Sequence, residues 1–239
     1  MRVAVLSDVH GNLHALEAVL SALVAESPDQ VWCLGDLVGY GPRPNECCSL
    51  VRDRADVCLI GNHDLAVLGR LDLEDFQPDA VASARWSMEL LQPDARSYLE
   101  SLAPKGEREG VGLYHASPRD PIWEYVLSPA VAWAAIAAAP ERLVLVGDSH
   151  VALRFTPEGD LGLAPDGTEL ELAEGRWLLN PGSVGQPRDG DPRAAWLLLD
   201  LGGGRASFRR VPYEVERTQE EIREAGLPEA LAARLAHGV

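Results

Sequence analysis

The chain has 239 residues, of which 46% are hydrophobic and 24% charged, and its formal net charge is −16. That is the composition of a globular protein long enough to bury a sizeable core. The acidic balance excludes broad, sequence-independent binding to DNA or RNA, which needs clustered Lys and Arg, but not a phosphate substrate, because bound metal ions reverse the sign of the field locally.

In chain order, the apolar run Val3–Leu6 ends on Ser7, Asp8 and His10. Asn12 then reads as an N-cap, with Leu13, Leu16, Leu20, Leu23 and Val24 following at helical spacing. Val31–Leu34 leads into Gly35 and Asp36, and Pro44–Arg54 is helical. Val57–Ile60 runs into Gly61, Asn62, His63 and Asp64. Asp79–Leu91 and Pro93–Leu102 are helical, Val111–Tyr114 ends at His115, Ser128–Ala138 is helical, and Leu143–Val146 leads into Gly147, Asp148 and His150. Short runs rich in Val, Ile and Leu fit buried strands. Their alternation with helices predicts an α/β fold with largely parallel early strands, in which ligands gather beyond the strands' carboxyl ends.

From 151 to 211 the pattern changes. Val151–Phe155, Glu169–Leu172, Trp177–Leu179, Ala194–Asp200 and Ala206–Val211 alternate between Gly, Pro and Asp turns, which predicts a second sheet packed on the first. Residues 213–239 read as surface helices. One domain over 1–239 is expected, with 69–127 either a helical cap insertion carrying Phe76, Trp86, Tyr98 and Trp123 or a segment whose aromatics pack in the core. The cysteines Cys33, Cys47, Cys48 and Cys58 form no CxxC pair and read as reduced thiols of a cytoplasmic protein. The apolar stretch at the N-terminus is too short for a signal peptide, and nothing reaches membrane-spanning length.

Of six histidines, four (His10, His63, His115 and His150) sit just beyond strand ends. With Asp8, Asp36, Asn62 and Asp148 they make more donors than one metal needs. Two divalent ions roughly 3.5–4 Å apart need a bridging group, which a carboxylate supplies. If Asp36 bridges, Asp8, His10, Asn62, His115, Asp148 and His150 complete four protein ligands for each ion. Mixed O and N donors suit Mn²⁺, Fe²⁺, Zn²⁺ or Ni²⁺. His14 stands at HxxxH spacing from His10, but Gly11 and Asn12 intervene at a turn.

The motifs SDVHGN, GDLVGYGP, GNHD, the His115 loop and GDSH are similar to those of the calcineurin-like metallophosphoesterases, and GDLVGYGPRPNEC and NPGSVGQPRDGDPRAAW resemble a YfcE-like or bacterial protein-phosphatase-like branch. The resemblance implies two packed mixed β-sheets flanked by helices (an αββα sandwich) and a dinuclear centre. Asp8, His10 and His150 would hold one ion, Asn62, His115 and Asp148 the other, and Asp36 both. The family usually has GHxH where this chain has GDSH, so Asp148 stands where a histidine is expected. The implied chemistry is in-line attack on phosphorus by a hydroxide held between the metals.

His63 is surplus to the ligand count and would face the leaving group as general acid or charge stabiliser. Asp64 would orient its ring, or else act as a helix N-terminal carboxylate. Arg188 is the candidate phosphate clamp, unless it pairs with Asp189 or Asp191. Tyr40 and Asn45 are candidate pocket residues, although Tyr40-Gly41-Pro42 also fits a plain turn. The leading reading is a phosphodiesterase acting on a small phosphorylated molecule. The alternatives are a phosphoprotein phosphatase, a dinucleoside polyphosphate hydrolase, and a catalytically silent protein-binding scaffold.

Overall fold

Alternation along β1 (Arg2–Leu6) sends Val3 and Val5 to one side and Ala4 and Leu6 to the other, and all four are buried. A strand buried on both faces must lie between two apolar layers. The computed structural model, which describes residues 1–172 and 174–239, shows both layers. Val3 and Val5 meet residues of a second sheet, while Ala4 and Leu6 meet helices.

The first sheet runs in the order β3 (Val57–Cys58), β2 (Gln30–Cys33), β1, β11 (Ala194–Asp200), β12 (Arg205–Val211), β9 (Glu169–Glu171). The second runs β4 (Lys105–Arg108), β5 (Val111–Tyr114), β6 (Leu143–Leu145), β10 (Trp177–Pro181), β7 (Ala152–Phe155), β8 (Leu161–Leu163). In each sheet three strands are mutually parallel: β1, β2 and β3 in the first, β5, β6 and β10 in the second. Each trio therefore presents its three carboxyl ends together.

Helices α1 (Leu13–Glu26), α2 (Pro44–Arg54), α4 (Pro78–Leu90) and α5 (Pro93–Glu100) bury Leu16, Val51, Ala84 and Leu99 against the outer face of the first sheet. The short α3 (Asn62–Val67) leads from β3 towards α4, and α6 (Pro129–Ala138) packs Ala132, Ala135 and Ile136 on the outer face of the second sheet against Val144 and Leu178. Asn12 caps α1 as expected, its side chain accepting from the Ala15 N–H. The architecture is the αββα sandwich. No helix among the described residues is long and apolar enough to cross a membrane.

Three expectations are corrected. Residues 151–211 do not make one sheet: β7, β8 and β10 join β5 and β6, whereas β11 and β12 cross back to pair beside β1, with Val3 opposite Leu199. Period-2 alternation tells which side chains face inward, not which sheet a strand joins, because pairing is non-local. Residues 69–127 are not an inserted cap, since β4 and β5 belong to the second sheet and α5 packs in the first core. Of the aromatics there, Tyr98 packs on the core and Trp86 on the C-terminal helices, while Phe76 and Trp123 line the site. The C-terminal α7 (Val215–Glu224) and α8 (Glu229–Ala233) are more than surface decoration. Ile222, Leu231 and Leu235 are buried in a cluster against which Tyr40 packs.

Candidate metal centre

Each of the six parallel strands ends on a polar loop: Asp8 and His10 after β1, Asp36 after β2, Asn62 and His63 after β3, His115 after β5, Asp148 and His150 after β6, and Gln186 and Arg188 after β10. The loops interlock through their backbones. The Asp8 N–H donates to Gly35 O (3.0 Å), His10 N–H to Asp36 O (2.9 Å), Gly185 N–H to Asp8 O (2.9 Å) and Gly147 N–H to His115 O (2.7 Å). Gly61 has no space for a side chain, because a Cβ there would strike the Asp36 carboxylate and the His115 ring.

Turning each chain back so that its side chain points across the strand ends requires unusual backbone. Asp8 (φ 55°), His10 (50°), Asp36 (55°), Tyr40 (55°), Asp148 (62°) and His150 (59°) all lie in the left-handed region. That costs roughly 1–2 kcal/mol for each residue with a Cβ, and such strain gathers at functional sites. The loops after β1 and β6, central strands of their respective sheets, repeat one device, an Asp-x-His with both ends left-handed.

The donor atoms converge. His10 Nε2 lies 3.0 Å from His150 Nε2 and 3.5 Å from Asp36 Oδ2. The same Asp36 oxygen is 3.6 Å from His115 Nε2. His150 Nε2 is 3.6 Å from Asp8 Oδ1, and His115 Nε2 is 3.7 Å from Asp148 Oδ1. The four histidine–carboxylate gaps are too long for good hydrogen bonds. They match donors sharing an ion, which stand roughly 3.4 Å apart in a tetrahedral site with ~2.1 Å bonds. Asp36 Oδ2 thus stands between two groups, Asp8/His10/His150 and Asn62/His115/Asp148. Asp8 also approaches Asp36 and His115 closely enough to share an ion with them.

The imidazoles are set for the task. Nδ1 of His10 faces Val38 O (3.1 Å), that of His115 faces Leu34 O (2.9 Å) and that of His150 faces Gln186 O (2.6 Å). A carbonyl can only accept, so Nδ1 carries the proton and each Nε2 lone pair points inward. Asp8 Oδ2, Asp36 Oδ2, Asn62 Oδ1, His115 Nε2 and Asp148 Oδ2 are buried without a hydrogen-bond partner. Asn62 donates through Nδ2 to Asp148 Oδ1 (3.2 Å), which leaves its oxygen free. Burial pushes the Asp8 carboxyl up to about 7 and that of Asp36 well up, and it pushes His10 and His150 down. Burial also opposes charge on His115, but Asp36, Asp148 and Asp8 outweigh it and hold its pKa up. Three buried carboxylates beside the neutral imidazoles of His10 and His150 call for positive charge, and divalent cations fit this donor set.

His63 is buried, with its ring 4.9 Å from His10, 4.4 Å from Tyr40 and 5.2 Å from Phe76. Burial, followed by the positive charges of Arg188 and His115, pushes it down to about 3. Asp64 does not orient it. Its Oδ1 accepts from the N–H groups of Leu37 (2.8 Å) and Val38 (3.0 Å) and its Oδ2 from Gly61 N–H (3.0 Å), while His63 Nδ1 has no partner. Asp64 is a loop clamp at the start of α3. Asp64→Ala is expected to strand three buried donors at about 1–3 kcal/mol each, lowering the thermal midpoint by roughly 10 °C or more. An unchanged midpoint with slowed turnover would return Asp64 to the catalytic group.

Arg188 pairs with neither neighbouring aspartate, because Asp189 holds Arg210 and Asp191 holds Arg193. Its guanidinium reaches Gln186 Oε1 (2.9 Å) and Tyr40 OH (3.3 Å), and Tyr125 lies nearby. Tyr40 packs on His10 and His63 and belongs to the site. Asn45 does not: it ties α2 to Leu90 and Gln92 at an exposed turn. His14 turns away to Glu221 (3.1 Å). Sequence reasoning missed Gln186, Tyr125 and Asn180, whose amide holds the 147–149 loop through Gly147 O and Ser149 Oγ. For Gln186 and Asn180 the signal was the density of polar residues in NPGSVGQPRDGD, and nothing local marked Tyr125.

A sandwich of this kind, with histidine and carboxylate donors at its strand ends, defines a phosphoester-hydrolase scaffold with a candidate metal centre. The chain belongs to the calcineurin-like phosphoesterase superfamily, whose domain model matches residues 1–203. It is 45% identical to a metallophosphoesterase from Sphaerobacter thermophilus of known crystal structure, covering 100% of this chain and 99% of that one with a TM-score of 0.92. It is 36% identical to an uncharacterised protein of Methanocaldococcus jannaschii over 98% of this chain and 96% of that protein. A shorter likeness, 39% over 71 residues, covers 28% of this chain and 26% of a symmetrical bis(5'-nucleosyl)-tetraphosphatase of Psychromonas ingrahamii.

Proposed function

We propose that this hydrolase is a dinuclear phosphodiesterase, its two divalent ions held by Asp8, His10, Asp36, Asn62, His115, Asp148 and His150. One observation carries the reading: three imidazoles pinned through Nδ1 turn their Nε2 atoms towards the carboxylates of Asp8, Asp36 and Asp148, each of which has a buried oxygen without a hydrogen-bond partner. When bound, the ions supply charge neutralisation at phosphorus and ionisation of water near neutral pH. The chain's own residues do the rest. Arg188, steadied by Tyr40 and Gln186, offers its fork to two phosphate oxygens. His63, fixed by ring packing rather than by a carboxylate, faces the departing oxygen, where the negative charge of a bound phosphate must raise its depressed pKa before it can donate a proton.

Asp148 sets the preference for diesters. Two divalent ions bring +4 and Asp8, Asp36 and Asp148 bring −3, which leaves +1, where a histidine at 148 would leave +2. A dianionic monoester depends on that charge more than a monoanionic diester does. One further unit of charge about 5 Å away is worth about 3 kcal/mol at an effective dielectric of ~20. Asp148→His should therefore raise the monoester-to-diester ratio of kcat/KM by roughly 10- to 100-fold, measured on paired nitrophenyl esters with Mn²⁺-, Ni²⁺- and Zn²⁺-loaded protein. A constant or falling ratio defeats the charge argument. No turnover of any ester by any metal form would leave the scaffold reading in its place. The partial likeness to a tetraphosphatase supports dinucleoside polyphosphates as a second substrate class, to be included in the same assay.

A further inference from the structure

From His63 a run of aromatic rings leads out of the site. The Phe76 ring meets His63 edge-on at 5.2 Å between centroids, and Trp123 lies 5.0 Å beyond Phe76. The two rings come from opposite halves of the sandwich: Phe76 follows α3, beyond the first sheet, and Trp123 lies in the loop between β5 and α6, beyond the second. Among the described residues neither belongs to a hydrophobic core cluster, and Trp123 is 37% exposed.

The loop bearing Trp123 is built rather than loose. Asp120 Oδ1 accepts from the N–H groups of Ile122 (3.0 Å) and Trp123 (3.2 Å), and Ser117 Oγ donates to Glu124 (2.6 Å). Tyr125, two residues beyond Trp123, lies near Arg188, so the ring-bearing loop adjoins the candidate phosphate clamp. A half-buried Phe76 and an exposed Trp123 joined to a candidate catalytic cleft form a surface suited to a planar ligand group.

Resting on the phosphoesterase reading, we propose that Phe76 and Trp123 form a stacking platform for a nucleobase, so that the substrate's leaving group is a nucleoside. Spacing decides against an aryl group bonded directly to the ester oxygen, as in a phosphotyrosine. Such a ring would lie at His63 itself, whereas Trp123 stands two ring spacings further out, where a base carried on a ribose arrives. Stacking of a base on an aromatic side chain discriminates without reading the base's edge, so purines and pyrimidines should both be accepted.

The test is binding of two probes to the Mn²⁺-loaded protein, followed by calorimetry and by tryptophan fluorescence. The probes are α,β-methylene-ADP and methyl methylenediphosphonate, which carry the same non-hydrolysable phosphorus group with and without an adenosine. The wild type should bind the adenosine compound at least about tenfold more tightly, with quenching of tryptophan emission. In Trp123→Leu, which keeps apolar bulk, the gap should shrink towards onefold while the methyl compound binds as before, and Phe76→Leu should shrink the gap as well. Equal affinities in the wild type, or a gap undiminished in both variants, would overturn the platform. Loss of turnover on nitrophenyl diesters bears on the hydrolase reading alone, because the probe comparison needs no catalysis.

Discussion

Asp36→Asn should release both metal ions together. The Asp36 oxygen lies 3.5 Å from His10 Nε2 and 3.6 Å from His115 Nε2, one histidine of each donor group. Its other oxygen accepts the His63 N–H at 3.0 Å, a bond that the amide oxygen of Asn preserves, so the loop stays in place. Affinity at both sites should fall by more than the roughly 10–100-fold that follows loss of an outer partner. Elemental analysis against a chelator series reads this directly. One tightly held ion beside one lost ion would show that Asp36 serves a single site, with Asp8, which approaches both groups, as the shared carboxylate.

His63→Ala should do the opposite, keeping the metal content and losing roughly 10²–10⁴ in rate. The ring touches the cleft but is surplus to the donors, and its neighbours Tyr40 and Phe76 hold it by packing. The loss should shrink for leaving groups of low pKa such as nitrophenolate, which hardly need a proton, and should be greatest for alkyl esters. An equal loss across leaving groups would assign His63 to charge stabilisation instead of proton transfer.

The parts of this site that could be read from the chain alone were those encoded locally. A strand followed at once by Asp or His is visible in the alphabet, and the parallel trios then bring those residues to one edge by topology. What escaped was non-local. Nothing in Ala194–Asp200 says that it will pair with β1 rather than with its predecessor β10. Asp64 and Asn45 were misplaced for the same reason. Both are small polar residues at the start of helices, and such side chains serve whichever backbone group lies nearest. For Asp64 that is the 36–38 loop, and for Asn45 the turn after α4. Arg188 went the other way: the adjacent aspartates are taken by Arg193 and Arg210, which frees it to face the cleft.

The twin Asp-x-His loops have a mechanical consequence. One rides on the first sheet and the other on the second, and His10 meets His150 across the seam between them. The sandwich therefore works as a caliper whose jaws are these loops, with its opening set by the apolar layer beneath, where Val5, Leu145, Leu179 and Leu197 fill the gap between the sheets. A close-packed layer resists changes in thickness. If the loops hold metal as proposed, the size of ion that the jaws accept is set by residues that never touch it. Selecting for a larger or smaller metal would begin with the thickness of that filling rather than with the ligands.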